Sequence, residues 1–268
     1  MQYYDIVFVV LVYKNTEVLS DFFKTLKIPF SYHVIVVNSF FDEESEKTCE
    51  FISKENNATF IPVPNKGYGA GNNIGCAYAI KHYDFNYLII SNSDIVVKSL
   101  SCLKKLKYDT AIFAPETSML NGHKQNPNIP YNSKIYIGLL KLGYRFNLPK
   151  IKLLGLVVNR FYRELAFLYM RLFRRKVLRI FSAHGSFIVF TKEAVIKLHP
   201  IFNDEMFLYN EELFLAYNCR QKNVPVIYSP ELKVLHLEGA SSSETLNSWT
   251  IRKESFSLLM KWKKKHRI

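Results

Sequence analysis

Three short segments carry most of the residues whose types and spacing suit chemistry. The first, Asn65-Lys66-Gly67-Tyr68-Gly69-Ala70-Gly71-Asn72-Asn73-Ile74-Gly75, places four glycines within nine residues. Such a run lets backbone approach a ligand closely and permits positive φ. A helix N-terminus after it would favour an anion such as a diphosphate. It lacks the G-K-[ST] of a Walker loop and the spacing of a dinucleotide fingerprint, and a tight turn built on packing glycines is the plainer alternative. The second segment, Ser91-Asn92-Ser93-Asp94, follows the apolar run Tyr87–Ile90. A carboxylate there suits a divalent cation, because Mg2+ needs only one or two protein carboxylates when substrate phosphates supply the remaining ligands. The alternative is that Asp94 caps a following helix. The third segment runs from Phe202 to Glu212 and sets Glu211 and Glu212 side by side among aromatic and apolar residues. Burying carboxylates is costly, raises their pKa and suits them to general-base work; two acids placed at a helix N-terminus would look the same.

The elements that must position these segments follow from the hydrophobic period. Strands are expected over Ile6–Val12, His33–Val37, Thr59–Val63, Tyr87–Ser91 and Ala111–Ala114. Helices should run from Asn15 or Thr16 to about Lys27, over Asp42–Lys54, and from the glycine segment to about His82. Strands separated by helix-length segments imply βαβ units and an α/β fold with a mostly parallel sheet, whose ligand-binding loops lie at the carboxyl ends of the strands. Residues 115–135 read as a loop long enough to form a flap. After a basic segment the strand pattern returns at Ser186–Phe190, a helix starts at Thr191, strands fall near Val226–Tyr228 and Lys233–Leu237, and a last helix covers about Glu244–Lys264.

The chain has 268 residues and is 49% hydrophobic, enough for a sizeable core and too apolar for a disordered chain. Its net charge of +13 is unevenly spread. Residues 141–180 hold eleven Lys/Arg against one acid, Glu164, and residues 261–268 hold five more with no acid. The rest is slightly acidic, which argues against a nucleic-acid coat, where basic charge spreads over a whole face. Cys49, Cys76, Cys102 and Cys219 are far apart, without metal-ligand spacing, and fit a reducing compartment. No secretory signal and no run of about 20 apolar residues is apparent, so a cytoplasmic location is expected.

Taken in order, the three segments resemble the family 2 glycosyltransferases of the GT-A fold, especially the rhamnosyltransferase-like branch of bacterial polysaccharide biosynthesis. The resemblance covers roughly residues 4–115 and 181–243. Asn65, Gly67, Gly71, Asn73 and Gly75 meet the family's N-x-G-x-x-x-G-x-N-x-G pattern. Asn92-Ser93-Asp94 resembles its D-x-D motif with only the last acid retained. Gly185 with Phe187–Phe190 is similar to the strand before the acceptor site. Phe202–Glu212 resembles F-D-E-x-F-F-x-Y-x-E-D, and His236-Leu237-Glu238-Gly239 with Ser241 resembles the late H-x-x-G-x-S segment. Asn38 stands where the family usually has a base-reading Asp, and Glu212 where it has the catalytic Asp, preceded by Glu211.

The resemblance implies one domain: a nucleotide-sugar half over 1–115, a flap and basic helical insertion over 116–180, an acceptor half over 181–243, and a terminal helix with a basic tail over 244–268. It implies an inverting transfer from a nucleotide-diphosphate sugar, dTDP-rhamnose or a UDP-sugar, to a glycan hydroxyl, with a lipid-linked glycan as acceptor in capsule-type assembly. Tyr13, Asn15, Asn38, Asn65, Gly67, Gly71, Asn73, Asn92 and Asp94 are then expected at the donor. His184 and Gly185 belong to the acceptor side, Asp94 with His236 to Mg2+ or Mn2+, and Glu212 with Glu211 to catalysis. Structural roles for His184 and His236, as satisfied buried histidines, are the alternatives.

On a helical wheel, Arg160, Arg163, Arg171, Arg174 and Arg175 fall in one arc, with Val158, Tyr162, Leu165, Ala166, Tyr169, Phe173 and Ile180 opposite; Phe161, Leu168 and Lys176 break the pattern. Such a helix suits an anionic membrane surface, which would make the protein peripheral on the inner face of the membrane. It equally suits packing on the domain with solvated arginines, or a homodimer contact. Two other functions fit in part. A sugar-phosphate nucleotidyltransferase would carry a glycine-rich loop after the first strand, where this chain reads Val12-Tyr13-Lys14-Asn15-Thr16. A non-catalytic module binding RNA or anionic lipid through residues 141–180 would leave Asp94, Glu211 and Glu212 without a role.

Overall fold

The computed structural model describes residues 1–237 and 248–268. The apolar run Ile6–Val12 forms most of β1 (Gln2–Val12), the centre of the first half of the sheet. It lies between β2 (Tyr32–Ser39) and β4 (Tyr83–Asn92), with β3 (Thr59–Val63) outside β2, and all three pairings are parallel. The connections are helices α1 (Glu17–Thr25), α2 (Glu43–Glu55) and α3 (Tyr68–His82). Alternate residues of β1 feed opposite cores. Val7 and Val9 join Ile35, Val37 and Ala79 on one face, while Ile6, Phe8 and Val10 join Leu19, Phe22 and Cys49 on the other. This two-sided burial is why the strands read as continuous apolar runs.

The expected mostly parallel order holds throughout only in that half; the other half is mixed. The full sheet runs β3-β2-β1-β4-β8-β6-β9-β5. Here β8 (Phe187–Thr191) is antiparallel to both β4 and β6 (Ile112–Met119). β9 (Val226–His236) is parallel to β6 and antiparallel to β5 (Ile95–Ser99) and to β7 (Leu178–Ile180). Several boundaries depart from the pattern-based expectation. A strand, β5, follows Asp94, so no helix is there for it to cap. The two strands expected near 226 and 233 are one, β9. Residues 115–119 extend β6 rather than opening a flap, and buried Gln125 and Asn126 anchor the segment beyond it.

The rest is helical. α4 (Lys134–Arg145) and α5 (Pro149–Leu172) form a hairpin; α6 (Lys192–Leu198), α7 (Glu211–Gln221) and α8 (Ser248–Lys265) follow. A third cluster joins Tyr136 and Leu140 of α4 to Leu213 and Tyr217 of α7 and to Phe256 and Leu259 of α8. Thus the hairpin, the glutamate-bearing helix and the terminal helix are packed as one unit against the sheet.

Candidate active site

Asp94 is placed by strand pairing. It lies in the turn between β4 and β5, and the β5–β9 ladder sets Ile95 opposite His236. His236 Nε2 is 3.2 Å from Asp94 Oδ1, and its Nδ1 is 2.8 Å from Gln125 Oε1. All three side chains are buried. The ring lies between these two side chains. Cis ligands of an octahedral divalent ion, with bonds of about 2.1 Å, stand about 3 Å apart. Asp94 and His236 therefore have the spacing and the donor atoms of two ligands on one cation. Among the described residues no group of three or more His, Cys, Asp or Glu side chains that could hold a metal ion comes together.

Glu211 and Glu212 face the same cleft from the first turn of α7, whose dipole favours carboxylates. The turn that presents them is strained: Tyr209 and Asn210 both have left-handed backbone, at φ 72° and 65°. Such conformations cost of order 1–3 kcal/mol each and persist where surrounding structure over-determines them. α8 supplies that support, since Asn210 Nδ2 donates to the Arg252 carbonyl at 3.1 Å and Ser255 Oγ to the Leu208 carbonyl at 2.7 Å. Burial pushes the Glu211 carboxyl well up, and the neighbouring Glu212 pushes it further. Burial also raises Glu212, against hydrogen bonds from its own N–H and from that of Gly185 and against the Arg252 charge. One Glu211 oxygen, Oε1, is buried without a partner. Gly185 is needed for this approach, because a Cβ there would stand 3.1 Å from Glu212 Oε1. Its carbonyl accepts from the Tyr68 hydroxyl at 2.7 Å.

His184 lines the cleft behind these groups. Its N–H donates to Asn126 Oδ1 at 2.8 Å, and its Nδ1 lies 2.9 Å from Ser186 Oγ. Burial, then the nearby His236 and Arg163, hold its pKa down at about 3, so it is neutral at physiological pH. The cleft has a volume of about 480 Å³ and brings together Asn92, Asp94, His184, Gly185, Glu211, Glu212 and His236.

The glycine segment behaves differently. α3 begins at Tyr68, inside the segment, so Gly69, Gly71 and Gly75 lie within the helix rather than before it. A Cβ on Gly71 would meet Leu11 Cδ1 at 2.5 Å, and one on Gly75 would meet Val9 Cγ1 at 2.4 Å. These glycines let the helix press onto β1. Gly67, at φ +99°, lies against the Phe207 carbonyl. Asn65 Oδ1 accepts from the Gly67 N–H at 3.2 Å. Asn73 was expected at the nucleotide, but its amide is fully occupied. Its oxygen accepts from the N–H groups of Ile201 and Phe202, and its nitrogen donates to the Phe202 carbonyl and Asp204 Oδ1. It clamps α3 to the segment that leads to the glutamates. Tyr13, Asn15 and Asn38 lie at the carboxyl ends of β1 and β2, outside the residues lining this cleft. There Tyr13 packs edge-on to Phe41 with Lys14 over both rings, and the Asn38 amide nitrogen is buried without a partner.

Sequence pattern missed Tyr68, Tyr136 and Arg252, which also line the cleft. Tyr68, an aromatic inside a glycine cluster, carried a local hint. Tyr136 and Arg252 arrive from distant helices and carry none. Glu238, Gly239 and Ser241, matched above to the late family motif, lie outside the described residues.

No protein-family model matches the chain, and no curated protein matches it significantly. Solved structures do. The mannosyltransferase PcManGT from Pyrobaculum calidifontis, in complex with GDP-Man and Mn2+, superposes with a TM-score of 0.56 at 11% identity, over 98% of this chain and 64% of that one. GalNAc-T7 with UDP, GalNAc and Mn2+ gives 0.61 at 11% identity, over 97% and 49%. S. aureus TarS residues 1–349 with UDP-GlcNAc gives 0.54 at 14% identity, over 98% and 65%. This chain thus spans half to two thirds of the length of these proteins. The fold is that of GT-A glycosyltransferases: a mixed α/β domain with a large central sheet flanked by helices.

Proposed function

We propose that this chain is an inverting glycosyltransferase that moves a sugar from a nucleotide-diphosphate donor to a glycan hydroxyl. The reading takes in the family 2, rhamnosyltransferase-like resemblance, a dTDP-rhamnose or UDP-sugar donor, and a lipid-linked acceptor at the inner face of a membrane. One observation carries it: a buried carboxylate–imidazole pair and a pair of raised-pKa glutamates line one cleft. Transfer with inversion needs charge neutralisation at the leaving diphosphate and a proton acceptor near the attacking hydroxyl. Asp94 and His236 would hold Mg2+ or Mn2+, which when bound offsets charge on the leaving group. Glu212, gripped by the Gly185 N–H, takes the proton of the acceptor hydroxyl. Glu211, whose carboxyl is raised by burial and by Glu212, stands beside that base. Arg252 balances the pair and orients the acceptor end. The Tyr13–Phe41–Lys14 group, next to Asn38 at the end of β2, receives the base. The test is a thermal-shift panel of nucleoside diphosphates and nucleotide-sugars with and without Mn2+. The correct donor at about 100 Kd should add roughly 2.7 kcal/mol of stability, and the gain should vanish without metal and in His236→Ala. No metal-dependent stabilisation by any nucleotide would overturn the proposal.

A further inference from the structure

The outer face of α5 carries a continuous apolar stripe. Leu154, Val157, Phe161, Leu165, Leu168 and Leu172 recur every three or four residues, so they share one face of the helix. All are exposed, Phe161 at 60% and Leu172 at 68% of full accessibility. The helix buries a different face, through Gly155, Asn159, Ala166 and Met170. The wheel arrangement expected from sequence is corrected here. Leu165 and Tyr169 face solvent, and the residues that broke the pattern, Phe161 and Leu168, belong to the outward stripe. Arg174 and Arg175 lie beyond the end of the helix. Large contiguous apolar patches on a soluble surface mark partner or membrane sites.

The occupant follows from the charges around the stripe. Arg160 and Arg171 flank it on the same exposed surface, and exposed Lys150, Arg174, Arg175 and Lys176 lie at its ends. A second copy seated on the stripe would bring two strongly basic segments face to face. An anionic bilayer satisfies both features, the apolar side chains entering the acyl boundary and the cations meeting lipid phosphates. Among the described residues no helix is long and apolar enough to cross a membrane, so α5 would lie in the interface plane.

We infer that the α4–α5 hairpin is a monotopic membrane anchor that docks this chain on anionic lipid through the 154–172 stripe. The inference depends on the lipid-linked-acceptor reading for its purpose only. The inner face of the same helix supports the cleft. Asn159 Nδ2 donates to the Asn128 carbonyl at 2.9 Å, and Arg163 bonds the Lys124 carbonyl. The segment between them carries Gln125 to His236 and Asn126 to His184. Docking would therefore set the cleft wall formed by Asn128, Ile129 and Tyr136 close to the lipid surface.

The experiment is co-sedimentation of the full chain with vesicles of phosphatidylcholine alone or with about 30% phosphatidylglycerol, with no donor or acceptor present. The wild type should bind anionic vesicles, weakly bind neutral ones, and lose affinity as salt rises. Phe161→Ser/Leu168→Ser should lower partitioning at least about tenfold, while Arg160→Gln/Arg171→Gln should lower it several-fold on anionic vesicles only. Both pairs lie on the exposed face, and unchanged melting temperatures would show that the fold is kept. Unchanged binding by Phe161→Ser/Leu168→Ser overturns the inference. So does a lipid-independent dimer that this variant dissociates, because the stripe is then a seam between copies. Failure of nucleotide binding alone would leave vesicle binding intact, which separates this inference from the proposed transfer reaction.

Discussion

The first turn of α7 and the outer face of α5 break the same rule in opposite directions. At α7, one of two adjacent carboxylates is buried, with an oxygen that has no partner, and the other is half-buried. At α5, the six large apolar side chains of the outer stripe are left in water. Each arrangement costs stability that ordinary folding would recover by exchanging the residues. The two costs differ in kind. The glutamates are held by specific geometry: the left-handed Tyr209–Asn210 turn, the Gly185 N–H and the Arg252 charge. The exposed stripe is held by nothing on its own side. A site that waits for a small polar substrate must be preorganised, because its catalysis depends on sub-ångström placement. A surface that waits for a fluid bilayer needs only the right chemistry on the right face.

The sharpest way to break this contrast is to remove the acids. Glu212→Ala and Asp94→Ala should each lower kcat by on the order of 10²-fold or more with the fold retained. Near-normal turnover by a folded Glu212→Ala protein would end its role as base.

Placement can be tested without removing chemistry. Gly185→Ala pushes a methyl to 3.1 Å from Glu212 Oε1, so kcat should fall about tenfold while stability changes little. A loss of folding instead of rate would show that Gly185 is structural.

Protonation gives a third handle. Glu211 holds its proton more tightly when folded than when unfolded. Between the ordinary glutamate pKa and its raised value the folded state keeps a proton that the unfolded chain has lost, so stability falls as pH rises through that window. Glu211→Gln should therefore raise Tm by about 5 °C at pH 8 and by little near pH 4.5, as read by calorimetry. An equal effect at both pH values would show that the carboxyl is not raised. The smallest effect belongs to Tyr68→Phe, which removes the hydroxyl bonded to the Gly185 carbonyl and should cost about 1 kcal/mol in a denaturant titration.

The legible parts of the molecule are those with a local physical signature. The continuous apolar runs of β1, β2 and β4 could only be strands buried on both sides. Asp42 before an acidic, polar stretch marked α2, where it accepts from Ser45 N at 2.8 Å. The glycine cluster was visible, and its purpose was not. Glycines that admit a ligand and glycines that admit Leu11 and Val9 are identical in sequence, and only the packed strands distinguish them. Asp94, Glu211 and Glu212 stood out as acids after or among apolar residues, and they do share a cleft. Arg252 did not stand out, because its partner loop lies some forty residues upstream and long-range contacts leave no local period.

What the residues alone determined is the period of each element and the chemistry available at its ends: a parallel βαβ half, a glycine-bearing helix start, carboxylates at two loops and a basic helical insertion. Tertiary structure decided direction. Reversal of β8 and the β5–β9 pairing bring His236 to Asp94, α8 braces the turn that presents the glutamates, and packing of α5 by its Asn159–Ala166 side turns Phe161 and Leu168 outward. Periodicity tells how often a face recurs along a chain but not what that face meets, and only the rest of the folded molecule supplies that.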